Sequence, residues 1–566
     1  MTSTTHARLR RSVTAAAAAL AVTTGVVAAA PEGEPAPAMP RLSLIAASDS
    51  LTLDSWKEDP GVYLDLGTYL TSEGGPFELR VKRASYKDPL VVQQVLRNGG
   101  TTTTRALPAG LVKDFSGLPG FAEISVTDTN RKVVATRTEK YCPNNAAGRI
   151  DPDGPSKSTY PESCPENPFT LGSVWGVEKG WASNTYAGYA SAPVRLAAGK
   201  YVAKVTVAKR YRDLFGISSK PLLIKVTVRE RSWEETEGAA LRSAHSGHAM
   251  TGHTGHGMTR PKAPAAPTSG AGPSYNVGHG PLIPAPPALP WALKKASLRT
   301  AVAPVGDGPG RTDGSRQAPA AAPNDRRPTG RAAVPDVPKP DLRSLPAYGI
   351  RISDGDQDVK GKDYLAFSAN VWNAGPAQLV VDGFRSPGKE LMDAYQYFYA
   401  ADGTQVGYTP TGTMEWDPRP GHEHWHFTDF ASYRLLKADQ KEQVRSGKEA
   451  FCLANTDAVD YTVDNANWHP GNTDLATACG QENSISVREV LDVGSGDTYT
   501  QDLPGQSFDI TNLPNGTYYI QVLANPENRL KETSHTNNSA LRKITLGGKP
   551  GARTVQVPAH DLVNAN

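Results

Sequence analysis

A chain of 566 residues with 53 glycines and 46 prolines has room for roughly two to four domains and long connecting stretches. Its 60 Lys and Arg against 57 Asp and Glu leave a net charge of +3, which excludes nucleic acid or another polyelectrolyte held by bulk charge. Four cysteines with no Cys-x-x-Cys spacing exclude zinc-finger and thioredoxin-type sites.

The chain opens on an export pattern over residues 1–30. Arg8, Arg10 and Arg11 precede an apolar run from Val13 to Val27, followed by the small residues Ala28, Ala29 and Ala30. That run is too short and Ala-rich for a bilayer, and no later stretch is long and apolar enough, so no membrane span is expected. Arg10-Arg11 leaves the general and twin-arginine export routes both open. A secreted, extracellular protein gives the cysteines meaning, because disulfides persist in oxidising surroundings. They fall into two sequence-local pairs, Cys142 with Cys164 and Cys452 with Cys479. Each pair is expected as a disulfide, worth about 2–4 kcal/mol.

Residues 40–233 read as β. Val226 and Val228 alternate with Lys225, Thr227 and Arg229, and Val205 and Val207 alternate with Lys204 and Thr206. An N-terminal β-sandwich domain follows from this, with no catalytic constellation in it. Asp151-Pro-Asp153-Gly154 has the outline of a calcium loop but lacks the further acidic ligands, so it reads as a turn. From 234 to 341 the chain loses periodicity and becomes rich in Ala, Pro and Gly, a disordered linker. Within 245–258 it carries His245, His248, Met250, His253, His256 and Met258, donors that suit copper in either oxidation state. A copper-collecting role and a merely biased low-complexity segment both stand. Alternation returns over 342–548, as in Tyr364–Trp372 and Tyr518–Leu523, and 549–566 reads as a tail. The expected fold class is therefore all-β, two β-sandwich-like domains joined by a long Ala/Pro/Gly/His-rich disordered linker.

The second domain is organised around Gly421–Phe427, Gly-His-Glu-His-Trp-His-Phe. Residues two apart on a strand share a face, so His422, His424 and His426 line one surface. Three neutral imidazoles there are a ligand set for copper, zinc, iron or nickel. On a flat strand the outer two lie roughly 13 Å apart at Cα. The outer imidazoles must then lean inward, or the strand must curl. A pH-sensing surface cluster is the bland alternative. The interleaved and framing aromatics Trp425, Trp416 and Tyr433 weigh against it.

Further blocks stand around this triplet in a fixed order. Trp372-Asn-Ala-Gly375 and Trp416 precede it; Asp429-Phe430 and Tyr433-x-Leu435-Leu436 follow. Then come Gly447-Lys448-Glu-Ala-Phe451-Cys452-Leu453, Gly496-Asp497-Thr498-Tyr499, Gly505-Gln506-x-Phe508-Asp509-Ile510-Thr511 and Asn525-Pro526 with Glu532–Asn538. In this order the blocks resemble the catalytic domain of lysyl oxidases. The resemblance implies a secreted bacterial member of that family. It implies Cu(II) on His422, His424 and His426, and a lysine tyrosylquinone formed from Lys448 and Tyr499. It also implies a primary amine or protein lysine as substrate and molecular oxygen as co-substrate, with aldehyde, ammonia and hydrogen peroxide as products. Asp429, matching the family's Asp after the triplet, is a candidate general base, or a partner that orients a ligand imidazole. Animal members carry more cysteines here and a further histidine six residues past the last ligand, where this chain has Ser432.

Two readings from other classes remain: a metal-binding cell-surface module without catalysis, and a three-histidine zinc hydrolase. Contact with cell-wall material through the N-terminal domain is a further expectation.

Overall fold

The computed structural model describes residues 39–565 except 58–60, 99–100, 146, 189–190, 233–322, 325, 354–358, 420–421, 447, 449, 471–478 and 504. The expected export signal and the His/Met segment 245–258 lie outside the described residues.

The structure is nearly all β. Among the described residues one helix, Lys209–Phe215, is present, closed by Gly216 at φ 69°. The N-terminal region builds three sheets, two of four strands and one of five. In the last, Leu222–Arg231 shows how sequence sets the element: Ile224, Val226 and Val228 are buried while Lys225, Thr227 and Arg229 face solvent. That strand pairs antiparallel with Gly199–Val207 and parallel with Ser50–Trp56. Asp151 accepts the Asp153 amide at 2.9 Å and its carbonyl takes the Gly154 amide, so the calcium-like stretch is a turn. Cys142 bonds Cys164, and Cys452 bonds Cys479.

The C-terminal region also has three sheets, of six, six and five strands. The strand Tyr364–Asn373 is buried along its whole length: Leu365, Phe367, Ala369 and Val371 face the main core, while Trp372 on the other face packs with Phe169 and Val459. It pairs with Ser495–Tyr499, bringing Ala369 opposite Tyr499 and Asn370 opposite Thr498. A second six-stranded sheet carries Gln405–Asp417 next to His424–Thr428, with Ala450–Phe451 at its edge. The two sheets meet over Phe367, Phe427, Phe451 and Tyr499, which puts the histidine strand and the tyrosine strand on one core.

Two stretches do more than join or end the fold. From the segment expected as linker, the Ala333 amide donates to Tyr408 O at 3.0 Å, and Arg327 donates to Ser386 Oγ at 2.8 Å. From the expected tail, Ala552–Gln556 adds an edge strand against Ser539–Lys549. The N-terminal region packs on the C-terminal one directly. Phe169 is buried with Leu345, Trp372 and Val459, and Tyr160 with Ala458, Tyr461 and Trp468. The backbone joins them too: Leu171 N–H donates to Val459 O at 2.8 Å, and Tyr461 N–H to Gly172 O at 3.0 Å.

Candidate metal centre and lysine–tyrosine pair

The histidine strand runs antiparallel to Gln405–Asp417, with Glu415 opposite His426 and Asp417 opposite His424. Only His424–Thr428 is regular strand. The His424 amide donates to His422 O at 2.5 Å, a tight turn that breaks the extended chain at its first histidine. This curl brings the three rings together. Ring centroids lie 4.6 Å apart for His424 and His426, 5.6 Å for His422 and His426, and 6.0 Å for His422 and His424. One ligand nitrogen from each lies within 4.8 Å of the others. Trp425 points the other way and anchors the strand: its amide donates to Cys479 O and its indole to Gln481 O, both at 2.9 Å.

All three histidines are buried. Burial, reinforced by the Lys448 charge, lowers His422 to about 3 and His424 to about 4, and drives His426 well below the ordinary value. The imidazoles are therefore neutral at working pH, as metal ligands must be. Both ring nitrogens of His422 and Nε2 of His426 have no hydrogen-bond partner among the described residues. Asp417 faces two of the rings, 3.6 Å from His422 Nδ1 and 3.5 Å from His426 Nδ1. Burial would raise Asp417, but hydrogen bonds from Arg419 outweigh it and hold the carboxyl below its usual value. Arg419 grips it by Nε at 2.9 Å and Nη2 at 2.5 Å.

Lys448 lies close by, 1% exposed, with Nζ 4.6 Å from the Tyr499 ring centroid and 5.2 Å from that of Phe451. Nζ has no hydrogen-bond partner among the described residues. Burial, with the Arg419 charge, lowers it to about 7. Its backbone is fixed by Ser446, whose Oγ accepts the Lys448 amide at 3.1 Å and donates to Gly505 O at 2.8 Å. The Tyr499 hydroxyl donates to Cys452 O at 2.7 Å, and its ring meets Phe451 edge-on. Burial, then Asp497 and Glu489, raise this phenol well above its ordinary value.

Residues 399–555 match the lysyl oxidase family model, a span that contains the three histidines, Lys448 and Tyr499. Human protein-lysine 6-oxidase is 33% identical over 135 residues, covering 24% of this chain and 28% of that protein. The pig protein-lysine 6-oxidase is 32% identical over 135 residues, 24% of this chain and 48% of that protein. Human lysyl oxidase homolog 1 is 34% identical over 142 residues, 25% of this chain and 22% of that protein. Residues 399–555 are a lysyl oxidase-family domain. The chain spans between about a fifth and a half of the length of these relatives.

Within this lysyl oxidase-family domain the candidate base and the carboxylate at the histidines are different residues. Asp429 takes a positive φ of 62° at the end of the histidine strand, and its carboxylate pairs with Arg529 at 3.1 Å. The carboxylate facing the imidazoles is Asp417, which sequence reading passed over. Its signal was present: Pro418, Pro420 and Gly421 are turn residues in the sequence, and the strands on either side pair with Asp417 opposite His424. Asp497, named only as part of its block, and Glu489, both buried, were given no role, since polar neighbours such as Ser495, Thr498 and Arg488 make each read as solvated. Burial raises both well above the carboxylate range. Glu489 accepts the Leu453 amide at 3.0 Å, tying its strand to the segment carrying Lys448 and Cys452. Ser432 is buried and accepts from Arg434 Nε at 3.2 Å.

If Asp417 orients His422 and His426, Asp417→Asn should weaken metal affinity by about 10–100-fold, the cost of losing an oriented ligand rather than a ligand. Competition titration against a chelator measures it. An unchanged affinity would leave Asp417 as a partner of Arg419 only.

Proposed function

We propose that residues 342–548 form a secreted, copper- and quinone-dependent amine oxidase. It would convert primary amines, peptidyl lysine or small amines, to aldehydes with release of hydrogen peroxide and ammonia. The observation that carries this reading is Lys448 Nζ at 4.6 Å from the Tyr499 ring, beside three buried imidazoles whose ligand atoms lie within 4.8 Å of one another. The residues fit both groups. Buried nitrogens on His422 and His426 with no hydrogen-bond partner among the described residues suit Cu(II), and the Lys448 amine, likewise without one among them, suits condensation with the Tyr499 ring. When bound, Cu(II) and a lysine tyrosylquinone would supply oxygen activation and an electron sink for the amine.

The chain's own residues prepare that chemistry. Asp417, clamped by Arg419, keeps two ligand rings turned toward the metal position. Burial keeps Lys448 able to shed its proton near neutral pH, so its lone pair is available for bond formation. The hydrogen bond from Tyr499 to Cys452 O fixes the ring's orientation, and the Cys452–Cys479 bridge ties that carbonyl's segment to the backbone supporting Trp425. Asp497 Oδ2 is buried without a hydrogen-bond partner among the described residues, under the influence of the Lys448 charge. A carboxyl raised by burial in this position suits holding the substrate's proton. Asp429, paired with Arg529, suits shaping the turn beyond the histidines.

A zinc hydrolase or a non-catalytic metal module would use the same imidazoles but has no use for Lys448 stacked on Tyr499. Full-length protein matured with copper in air separates the three. We expect close to one copper per chain, a positive redox stain for quinone, and peroxide release from a lysine peptide or a small amine. Zinc without quinone would favour the hydrolase, and copper without quinone the binding module.

A further inference from the structure

The N-terminal region has no role in the reading above, yet it reaches the strand that carries Tyr499. Asn167 stands at the contact, 5% exposed. Its Oδ1 accepts the Phe169 amide at 2.9 Å, a turn that sends the Phe169 ring into the cluster with Leu345, Trp372 and Val459. Its Nδ2 donates to Tyr348 Oη at 3.4 Å. Tyr348 Oη lies 3.4 Å from Thr498 Oγ1, and Asn370 Nδ2 donates to the same hydroxyl at 2.7 Å. The single proton of Thr498 goes to Asp457 Oδ2. Asp457 also accepts from Thr456 Oγ1 at 3.2 Å, and Asn167 is among its hydrogen-bond partners. The Thr498 amide in turn donates to Thr456 Oγ1 at 2.6 Å.

Proton counting makes this network directional. Burial raises Asp457 to about 7, and above that pH its carboxylate only accepts; the Thr498 hydroxyl donates once, to Asp457, and takes two donors on its lone pairs, Tyr348 and Asn370. Tyr348 has then spent its proton, so its own oxygen needs a donor, and Asn167 provides one. Buried polar groups linked in this way rigidify the chain they belong to, and losing a link is costly. Thr498 is the residue before Tyr499, and both lie on the strand paired with Tyr364–Asn373.

We infer that the N-terminal β region is a positioning part of the site: Asn167, through Tyr348 and Asp457, holds Thr498 and with it the strand that presents Tyr499 to Lys448. This rests on the amine-oxidase reading of Tyr499. Asn167 is a positioning residue, since it acts through three others.

The test uses the full chain and two variants. Asn167→Asp keeps the oxygen that accepts the Phe169 amide but removes the protons given to Tyr348 and Asp457. Tyr348→Phe removes a single linking hydroxyl while keeping the ring. Hydrogen exchange in copper-free protein should speed up about tenfold in peptides covering 495–499 for both Asn167→Asp and Tyr348→Phe, with the three-histidine copper stoichiometry unchanged. Lys448–Tyr499 cross-linking in copper and air should slow by a similar factor. Wild-type exchange over 495–499 in Asn167→Asp and Tyr348→Phe alike overturns the inference. If Asn167→Asp fails to fold, Tyr348→Phe decides alone. A wild type that never cross-links would sink the amine-oxidase reading, while the exchange comparison would still decide the role of Asn167.

Discussion

His424→Ala should purify with less than about a tenth of the copper held by the parent chain while its circular dichroism stays that of a β protein. Three imidazoles with ligand atoms within 4.8 Å of one another form one site, and two cannot close it. Removal of a direct ligand should cost more than the roughly 10–100-fold expected when a partner that only orients a ligand is lost. The fold has little stake in that ring, because His424 lies on a strand held by its backbone pairing with Gln405–Asp417 and by Trp425. Acid gives a second reading of the same site. His422 and His424 are lowered to about 3 and about 4 from an ordinary 6.5. Unfolded chains therefore take up protons below about pH 6.5 that the folded chain refuses, and copper-free stability should fall as pH drops through that window. His424→Ala should flatten part of that slope. Full copper occupancy in this variant would remove the triplet from the site.

The parts legible in the sequence were those governed by local period. Val226 and Val228 could be assigned to one face because a strand alternates, and the structure buries them together. The triplet was legible for the same reason, and so was its difficulty, since a flat strand holds the outer histidines too far apart. How the chain escapes that difficulty, a turn closed by the His424 amide on His422 O, depends on the hairpin before it and on the support under Trp425. Contacts between distant segments left the weakest trace. Nothing in the composition of Asn167–Phe169 says that it meets Trp372 and Tyr348, because an apolar residue announces burial but not its partner. Asp417, Glu489 and Asp497 escaped for a related reason. A carboxylate reads as solvated until the structure shows what covers it. The pairing of Lys448 with Tyr499 came from the order of motifs shared with a family, and no periodicity would have joined residues so far apart in the chain.

Tyr499→Phe and Lys448→Arg should each abolish the cross-linked peptide and drop amine oxidation by at least roughly a thousandfold, since the electron sink is lost while binding remains. The two variants fail for different reasons. Phenylalanine offers no hydroxyl for the ring oxidation and leaves Cys452 O without its donor, a stability cost of about 1–3 kcal/mol. Arginine keeps a cation in place but cannot supply a neutral amine. Copper content should stay near that of the parent in both, which separates them from His424→Ala. Lys448→Met adds a thermodynamic readout. Lys448 is lowered to about 7 from 10.5, so between those values the unfolded chain binds a proton that the folded chain does not. Stability of the copper-free parent should therefore rise with pH from about 7 toward 10.5, as the penalty for burying the charge is relieved. Lys448→Met should lose that slope and melt at a higher temperature at neutral pH, stable and inactive together. The same proton sets the rate of cross-linking in the parent, which at saturating copper should climb as pH passes about 7 and level off above it. Peptide mass spectrometry follows the reaction directly. An amine-oxidising sample with Lys448 and Tyr499 in separate, unmodified peptides would take the cofactor away from both residues.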